Sequence, residues 1–346
     1  MAKRIVAIYD RGIDKNLMQG FDVLEKYGYE LTLVEKTGNE DELAYQNSML
    51  SVEVNGPDGT PINEEVFQYL DDAEIIITHF APVSRRMIEA AKNLKIIATL
   101  RTGMENINME AAKERGIKVI NAPGRAAVAV ADFTVAAMLC EIRNIARTDE
   151  DIKTGGWTKK YPTRTYSDNM CNLKVGLVGF GDIGRKIATR LKGFGTTILA
   201  YDPYCTKESI EAFGCVPVSL DELLEQADFV SLHVRLSPQT QNMFGAAEFA
   251  KMKPTAIFVN AARAGLVDEA AMIDALEQKK IGGAVLDVFR EEPLPVDHPL
   301  RKLKNVTLSA HLAGTDIGTF SGSIKIVADN LEQYFSGGEL KNVVNH

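Results

Sequence analysis

Six residues, Gly179-Phe180-Gly181-Asp182-Ile183-Gly184, have the GxGxxG spacing with which a chain can hold the pyrophosphate of a dinucleotide. The context completes the pattern. A β-branched run, KVGLV (174–178), precedes the glycines, and a helical pattern, RKIATRLKGF (185–194), follows them. Gly179 permits a tight turn, Gly181 lets the backbone approach the pyrophosphate, and Gly184 lets helix pack closely on strand, while the helix N-terminus faces the phosphate charge. A second strand, TILAY (197–201), ends in Asp202, 18 residues after Gly184. A carboxylate there can accept hydrogen bonds from the adenosine ribose. It also repels a 2′-phosphate, and the next residues, Pro203 and Tyr204, include no Arg to receive one. The expected cofactor is NAD rather than NADP.

Hydride chemistry on a 2-oxo acid needs a cation for the carboxylate and ketone, a proton donor for the alkoxide, and a group that tunes that donor. The chain has five histidines. His346 is terminal, and His298 lies in the turn Asp297-His298-Pro299. His79, His233 and His311 each end an expected strand, and ligands of open α/β sheets bind beyond the carboxyl ends of strands. His311 stands out by its company. Asn260-Ala261-Ala262-Arg263, Asp287-Val288-Phe289-Arg290-Glu291-Glu292-Pro293 and Ser309-Ala310-His311-Leu312-Ala313-Gly314 each follow a strand, so an Arg, a Glu and a His occupy sheet-edge turns of one domain.

The elements that must position these groups alternate. RIVAIY (4–9), ELTLV (30–34), EIIIT (74–78), KIIAT (95–99) and GIKVIN (116–121) read as strands. Residues 17–27 and 85–93 read as helices, and 36–63, with its turn formers Asn55-Gly56-Pro57-Asp58-Gly59, as a loop or short hairpin. The apolar run 125–144 predicts a deeply buried helix of about 30 Å, of the kind that crosses between domains or packs on a second subunit. A second βαβ series begins at Lys174, with strands at 174–178, 197–201, 229–233, 256–260, 284–288 and 306–309, and a final helix covers 318–335. Repeated βα units mean parallel sheets covered on both faces.

The bulk properties agree. The 346 residues suffice for two domains, and 45% hydrophobic with 25% charged residues is an ordinary globular balance. A net charge of −8 disfavours nucleic acid and anionic membranes as partners. Cys140, Cys171, Cys205 and Cys215 form no CxxC pair and no Cys/His cluster with zinc spacing, so free thiols and no metal are expected. The N-terminus runs straight into a strand pattern, and no stretch approaches the roughly 20 apolar residues of a membrane span, so a cytoplasmic location is expected.

From Lys174 to Gly314 the ordered motifs resemble those of the D-isomer-specific 2-hydroxyacid dehydrogenase family, which includes phosphoglycerate dehydrogenases and glyoxylate/hydroxypyruvate reductases. They comprise the GxGxxG with Asp202-Pro203, the run His233-Val234-Arg235-Leu236-Ser237-Pro238-Gln239-Thr240, and the three turns above. Upstream, Arg101-Thr102-Gly103-Met104-Glu105-Asn106 and Asn121-Ala122-Pro123-Gly124 extend the likeness. The resemblance implies that Arg263 binds the substrate carboxylate and carbonyl, that His311 is the general acid/base, and that Glu292, the Glu directly before the Pro, pairs with it. A guanidinium can hold a carboxylate in two-pronged fashion, and a carboxylate beside imidazolium favours its protonated form. The resemblance further puts Asp287 on the nicotinamide carboxamide, adds His233, Ala261 and Gly314 to the cofactor groove, and lines the substrate site with backbone N–H groups of Arg101, Thr102 and Gly103 and with His79. Four positions depart from the family pattern: Ala264 for Gly, Arg235 for Pro, Ala126 for Asn and Asp132 for Glu.

The family architecture implies two doubly wound domains. A Rossmann nucleotide domain (124–314) is inserted into a flavodoxin-like substrate domain (1–123 and 315–346), with the active site in the cleft between them. A homodimer is expected. The loop after the third strand, Thr78-His79-Phe80-Ala81-Pro82-Val83-Ser84, has no Lys or Arg for a phosphate, so glyoxylate or hydroxypyruvate is expected over 3-phosphohydroxypyruvate. Two other readings are a D-3-phosphoglycerate dehydrogenase and an NADH-sensing regulator of the corepressor type.

Overall fold

In a computed structural model, described for residues 3–345 other than Asn39 and Tyr166, the chain forms two compact units. His346 lies outside the described residues. One unit joins Met1–Arg125 to Asp316–His346, and the other is Ala126–Thr315. The chain thus leaves the first unit once and returns to it once.

The first unit is built on five parallel strands, β1 (Lys3–Tyr9), β2 (Tyr29–Glu35), β3 (Ala73–Thr78), β4 (Ile96–Thr99) and β5 (Lys118–Ile120), in the order β2-β1-β3-β4-β5. The order in which the chain lays down its strands reverses between β1 and β3, where a doubly wound sheet opens a binding crevice. Ile75, Ile76 and Ile77 of β3 are all fully buried, because both faces of a central parallel strand are covered. One face carries the helices Arg85–Ala90 and Met109–Glu114, and the other the terminal helix Ile317–Phe335.

Two local expectations change here. The segment expected as one helix over 17–27 is a short α-turn, Lys15–Met18, continued as a 3₁₀ run over Gln19–Tyr27. Its buried residues Met18, Phe21 and Leu24 recur every three residues, the 3₁₀ repeat. The expected loop or hairpin at 36–63 is instead helical over Glu42–Gly59, capped by Asp41, whose side chain accepts from the Ala44 N–H. Gly56, at φ 67, and Pro57 interrupt it, so the turn formers mark its end rather than a hairpin. Buried Tyr45 and Val52 lie seven residues apart, too sparse a stripe to announce a helix.

The second unit has seven parallel strands: β6 (Lys174–Val178), β7 (Thr197–Tyr201), β8 (Val216–Pro217), β9 (Phe229–Leu232), β10 (Ile257–Asn260), β11 (Gly283–Leu286) and β12 (Val306–Leu308). Their order, β12-β11-β10-β9-β6-β7-β8, is the Rossmann order with one strand added at an edge. The apolar run after Pro123 forms the helix Ala127–Ile142, which lays Ala131, Val135, Met138 and Ile142 into this unit's core. Beside it packs the helix Asp182–Lys192, and Arg190 of that helix pairs with Asp132, which gives this departure from the family pattern a structural role. Ala126 caps the same buried helix, where a Cβ on Gly314 would come within 3.5 Å of its own Cβ. Nothing in the fold explains Arg235 or Ala264. Among the described residues no helix is long and apolar enough to cross a membrane.

Candidate active site

In the second unit the sequence-predicted groups gather at the carboxyl ends of β6, β7, β9, β10, β11 and β12. The glycines show why they are glycines. Gly179 has φ +99, and a Cβ there would lie 2.7 Å from the His233 carbonyl. A Cβ on Gly184 would meet the Gly179 carbonyl oxygen at 2.4 Å, so strand and helix are in backbone contact. At Gly181 a Cβ would meet nothing within 4 Å. That open space lies at the N-terminus of the eleven-residue helix that Asp182 begins and Ile183 continues. A phosphate group fits a helix end with free N–H groups and no side chain in the way. Asp202 closes the turn from β7, its carboxylate accepting from the N–H of Phe180 (2.8 Å) and of Tyr204 (2.9 Å). One oxygen thus braces the phosphate loop, and each keeps a lone pair for a ribose hydroxyl. The His233 ring lies 2.8 Å from Ser231 Oγ, and burial pushes it down to about 3, so it is a neutral imidazole.

The three reactive types converge on the adjacent strand ends. His311 Nδ1 lies 2.8 Å from Glu292 Oε2. The other Glu292 oxygen accepts from the Phe289 N–H at 2.9 Å, which fixes the carboxylate. The pairing leaves His311 Nε2 as the outward nitrogen, on a ring whose side chain is 49% exposed. His311 has φ 53, a conformation unusual for a residue with a Cβ. Asp287 holds it there. This carboxylate, 1% exposed, accepts from Ser309 Oγ (2.6 Å), Leu312 N–H (2.8 Å) and Ala313 N–H (2.9 Å). Asp287 is thereby a brace for the His311 turn. Arg263 is exposed beyond β10. Its turn, Ala261–Arg263, is pinned by Asn260, whose side chain accepts from the Ala262 N–H and donates to the Arg263 carbonyl, both at 3.0 Å.

In the first unit a separate cluster sits at the ends of β1, β3, β4 and β5. His79 is fully buried. Its Nδ1 lies 3.0 Å from Asp10 Oδ2, and its Nε2 lies 3.1 Å from a guanidinium nitrogen of Arg125. Both ring nitrogens are taken, which revises the expectation that His79 itself touches substrate. Arg101 stacks on Phe80, 4.0 Å from the ring centroid. The following turn keeps Thr102, Gly103 and Met104 in place through Asn121, whose amide donates to the Thr102 carbonyl at 2.7 Å. Among the described residues those three backbone N–H groups form no hydrogen bond, and the Glu105 carboxylate lies over Gly103, where a Cβ would come within 2.3 Å of it. Asp10, Tyr45 and Arg125 were missed from sequence. Asp10 gave a signal, because it ends β1 as His79 ends β3.

Residues 135–313 match the family described as D-isomer specific 2-hydroxyacid dehydrogenase, NAD binding domain. The chain is 39% identical over 284 residues to a D-3-phosphoglycerate dehydrogenase of Methanocaldococcus jannaschii, covering 82% of this chain and 53% of that protein. It is 37% identical over 287 residues to a glyoxylate reductase of Korarchaeum cryptofilum, covering 82% and 86% respectively. The chain therefore spans about half of the first relative and most of the second. Among solved structures, a D-isomer specific 2-hydroxyacid dehydrogenase from Lactobacillus delbrueckii ssp. bulgaricus, in NAD-complexed form, superposes with a TM-score of 0.77 over 99% of this chain and 100% of that one. At 24% identity that likeness is one of fold.

Proposed function

The chain belongs to the D-isomer-specific 2-hydroxyacid dehydrogenase family, with NAD as its cofactor, and from that premise we propose that it transfers a hydride between NAD(H) and C2 of a small D-2-hydroxy or 2-oxo acid. The observation that carries the reading is the His311–Glu292 contact, 2.8 Å, on a turn braced by Asp287. NAD, when bound, supplies or accepts the hydride. Gly179, Gly181, Asp182, Ile183 and Gly184 would hold its pyrophosphate and Asp202 its adenosine ribose, while His233, Ala261, Asp287 and Gly314 border the nicotinamide half.

The protein's own groups then divide the work. Arg263 takes the substrate carboxylate and polarises the ketone through a guanidinium fork. His311 gives its Nε2 proton to the oxygen that becomes the hydroxyl and recovers it in the reverse direction. Glu292 accepts from Nδ1 and fixes the orientation of the ring.

A dehydrogenase is favoured over an NADH-sensing regulator by the relatives, named as reductases and dehydrogenases, and turnover assays against partner capture separate the two. The loop Thr78–Ser84 supplies no cation of its own, which by itself favours glyoxylate or hydroxypyruvate; the cations of the first unit stand on other turns. We assign the protein to the cytoplasm on its four free cysteines and to a homodimer on the exposed apolar residues Ile145, Ile152 and Trp157, which follow the buried helix. Light scattering that showed a monomer at micromolar concentration would remove the dimer. The decisive test of the activity is a panel of 2-oxo acids with NADH, followed by the absorbance of the reduced cofactor. Turnover of at least one acid is expected, and failure with all of them would sink the reading.

A further inference from the structure

The pyrophosphate of a dinucleotide is a dianion, and the turn that would receive it is poor in cations. Gly179–Gly184 itself contributes a carboxylate, that of Asp182, at the first position of the helix Asp182–Lys192. The basic residues of that helix are engaged elsewhere. Lys186 pairs with Asp182 at 3.4 Å, and Arg190 pairs with Asp132. Arg185 donates from Nε to the Phe180 carbonyl at 3.1 Å and lies 5.3 Å from the centroid of the Phe213 ring. Lys192 stands in the last turn, away from the glycines. The helix end offers N–H groups worth about half an elementary charge, and Asp182 opposes them. The turn and its helix thus leave a dianion short of positive charge.

Arg235 stands at the neighbouring strand end. β9 pairs with β6 and runs into His233, whose N–H donates to the Val178 carbonyl at 2.7 Å. The next residue touches the glycine turn: a Cβ on Gly179 would meet the His233 carbonyl at 2.7 Å and Val234 Cγ1 at 3.0 Å. On the other side, Leu236 packs over the turn that carries Arg263, where a Cβ on Gly265 would come within 2.9 Å of it. Thr240 locks the run, its hydroxyl donating to the Arg235 carbonyl at 2.7 Å and accepting from the Ser237 N–H at 2.8 Å. The backbone of Arg235 is therefore fixed between the turns that follow β6 and β10. Its side chain is exposed, and among the described residues the guanidinium has neither an ion pair nor a hydrogen bond. Arg290, by contrast, is spent on the Val267 carbonyl at 2.6 Å. The sheet order β12-β11-β10-β9-β6-β7-β8 puts Asp202, at the end of β7, on the adenosine side, and Arg263 and His311, beyond β10 and β12, on the reactive side. A dinucleotide lying across those ends carries its pyrophosphate over β6 and β9, which is where Arg235 is held.

We infer that Arg235 is a cofactor-binding residue that pairs with the NAD pyrophosphate from the end of β9 and supplies the cation that the glycine turn, with Asp182 in it, lacks. This gives the departure at 235 a role in binding where the fold gives it none. A guanidinium suits the task, since two of its N–H groups match two phosphate oxygens, whereas a lysine ammonium acts as a point charge. Asp182 has the opposite effect: its carboxylate competes with the phosphates for the helix end, and Lys186 offsets part of that repulsion. The inference rests on NAD as cofactor and is independent of which acid is the substrate.

Binding to the whole protein without substrate tests it, with no turnover needed. NADH is titrated by fluorescence, and ADP-ribose, which keeps the pyrophosphate, and adenosine, which lacks it, are titrated as competitors. Arg235→Gln is expected to raise Kd for NADH and for ADP-ribose about tenfold, the order of a charge-assisted pair, and to leave Kd for adenosine unchanged. Arg235→Lys should lose less. Between about 0.05 M and about 0.5 M salt the parent should lose more affinity for NADH than Arg235→Gln does, because the pair is exposed and screened. Asp182→Asn, with Arg235 in place, should bind NADH more tightly than the parent. An Arg235→Gln protein that binds NADH as the parent does overturns the role of Arg235 alone and leaves the dehydrogenase reading standing. Equal weakening of adenosine and ADP-ribose overturns it too, since the side chain would then act on the nucleoside and not on the phosphates. A parent that binds neither NADH nor ADP-ribose overturns both the inference and the NAD assignment beneath it.

Discussion

His311 Nδ1 and Glu292 Oε2 stand 2.8 Å apart although the two residues arrive from different turns, one after β11 and one after β12. With Nδ1 committed to the carboxylate, the proposed proton exchange with substrate falls to Nε2. His311→Ala is expected to retain NADH binding and to lose on the order of 10²–10⁴ in kcat, the usual worth of a positioned acid or base. Fluorescence titration of NADH and steady-state assays separate the two effects. A variant that turns over normally would remove His311 from the chemistry.

Glu292→Gln keeps a hydrogen-bond acceptor for the ring but removes the carboxylate whose two oxygens tie His311 Nδ1 to the Phe289 N–H. The variant is expected to bind NADH as the parent does and to lose on the order of 10-fold in kcat, since small displacements of a catalytic group are costly. An unchanged kcat in steady-state assays would show that the ring is held without this carboxylate.

Asp202, proposed to hold the adenosine ribose, accepts from the Phe180 N–H of the glycine turn with one of its oxygens. The parent is expected to prefer NADH to NADPH clearly in kcat/KM. Asp202→Ala should narrow the preference from both sides, losing the ribose partner and the repulsion of a 2′-phosphate. A parent that uses both cofactors equally would contradict the assignment.

Asp287 accepts three hydrogen bonds from the turn that carries His311 at φ 53. Asp287→Ala leaves two backbone N–H groups without their acceptor and frees the turn. The expected loss in kcat is on the order of 10- to 100-fold, since small displacements of a catalytic group are costly. Equal kcat in variant and parent would show that the turn holds without this brace.

Much of the nucleotide unit is legible in sequence because its signals are local. Residues 174–178 and 197–201 are strands to the residue, and the glycines at 179 and 184 each answer to a neighbour within the same βα turn or the adjoining strand end, while Gly181 leaves open space at the helix N-terminus. The first unit is harder. The helix Glu42–Gly59 hides behind Asn55–Gly59, where turn formers outweigh two buried residues on its face. The Asp10–His79–Arg125 relay is built from contacts 69 and 46 residues apart in the chain. Only the strand order β1-β3-β4-β5 brings those loops side by side, and a reading that lists strands without ordering them has no means of pairing Asp10 with His79.

That relay also carries a pH signature. Burial, with the Arg125 and Arg101 charges behind it, holds His79 below its ordinary range. In the unfolded chain the ring titrates near about 6.5. The unfolded state therefore binds the proton first as pH falls, so the stability is fully present above about 6.5 and is lost progressively below it. For Asp10, burial pushes the carboxyl up, but His79 and the N–H groups of Ile13 and Phe80 outweigh it and hold the carboxyl below its ordinary range. Its contribution is present above about 3.9 and is lost only in stronger acid. The window between pH 7 and 5 thus belongs to His79 within this cluster. Calorimetric scans should show Tm of the parent falling across that window, and His79→Gln, which keeps a donor for Asp10 but takes up no proton, should start lower at pH 7 and fall less. Identical declines in both proteins would mean that other groups set the pH dependence and that His79 is not held neutral by the fold.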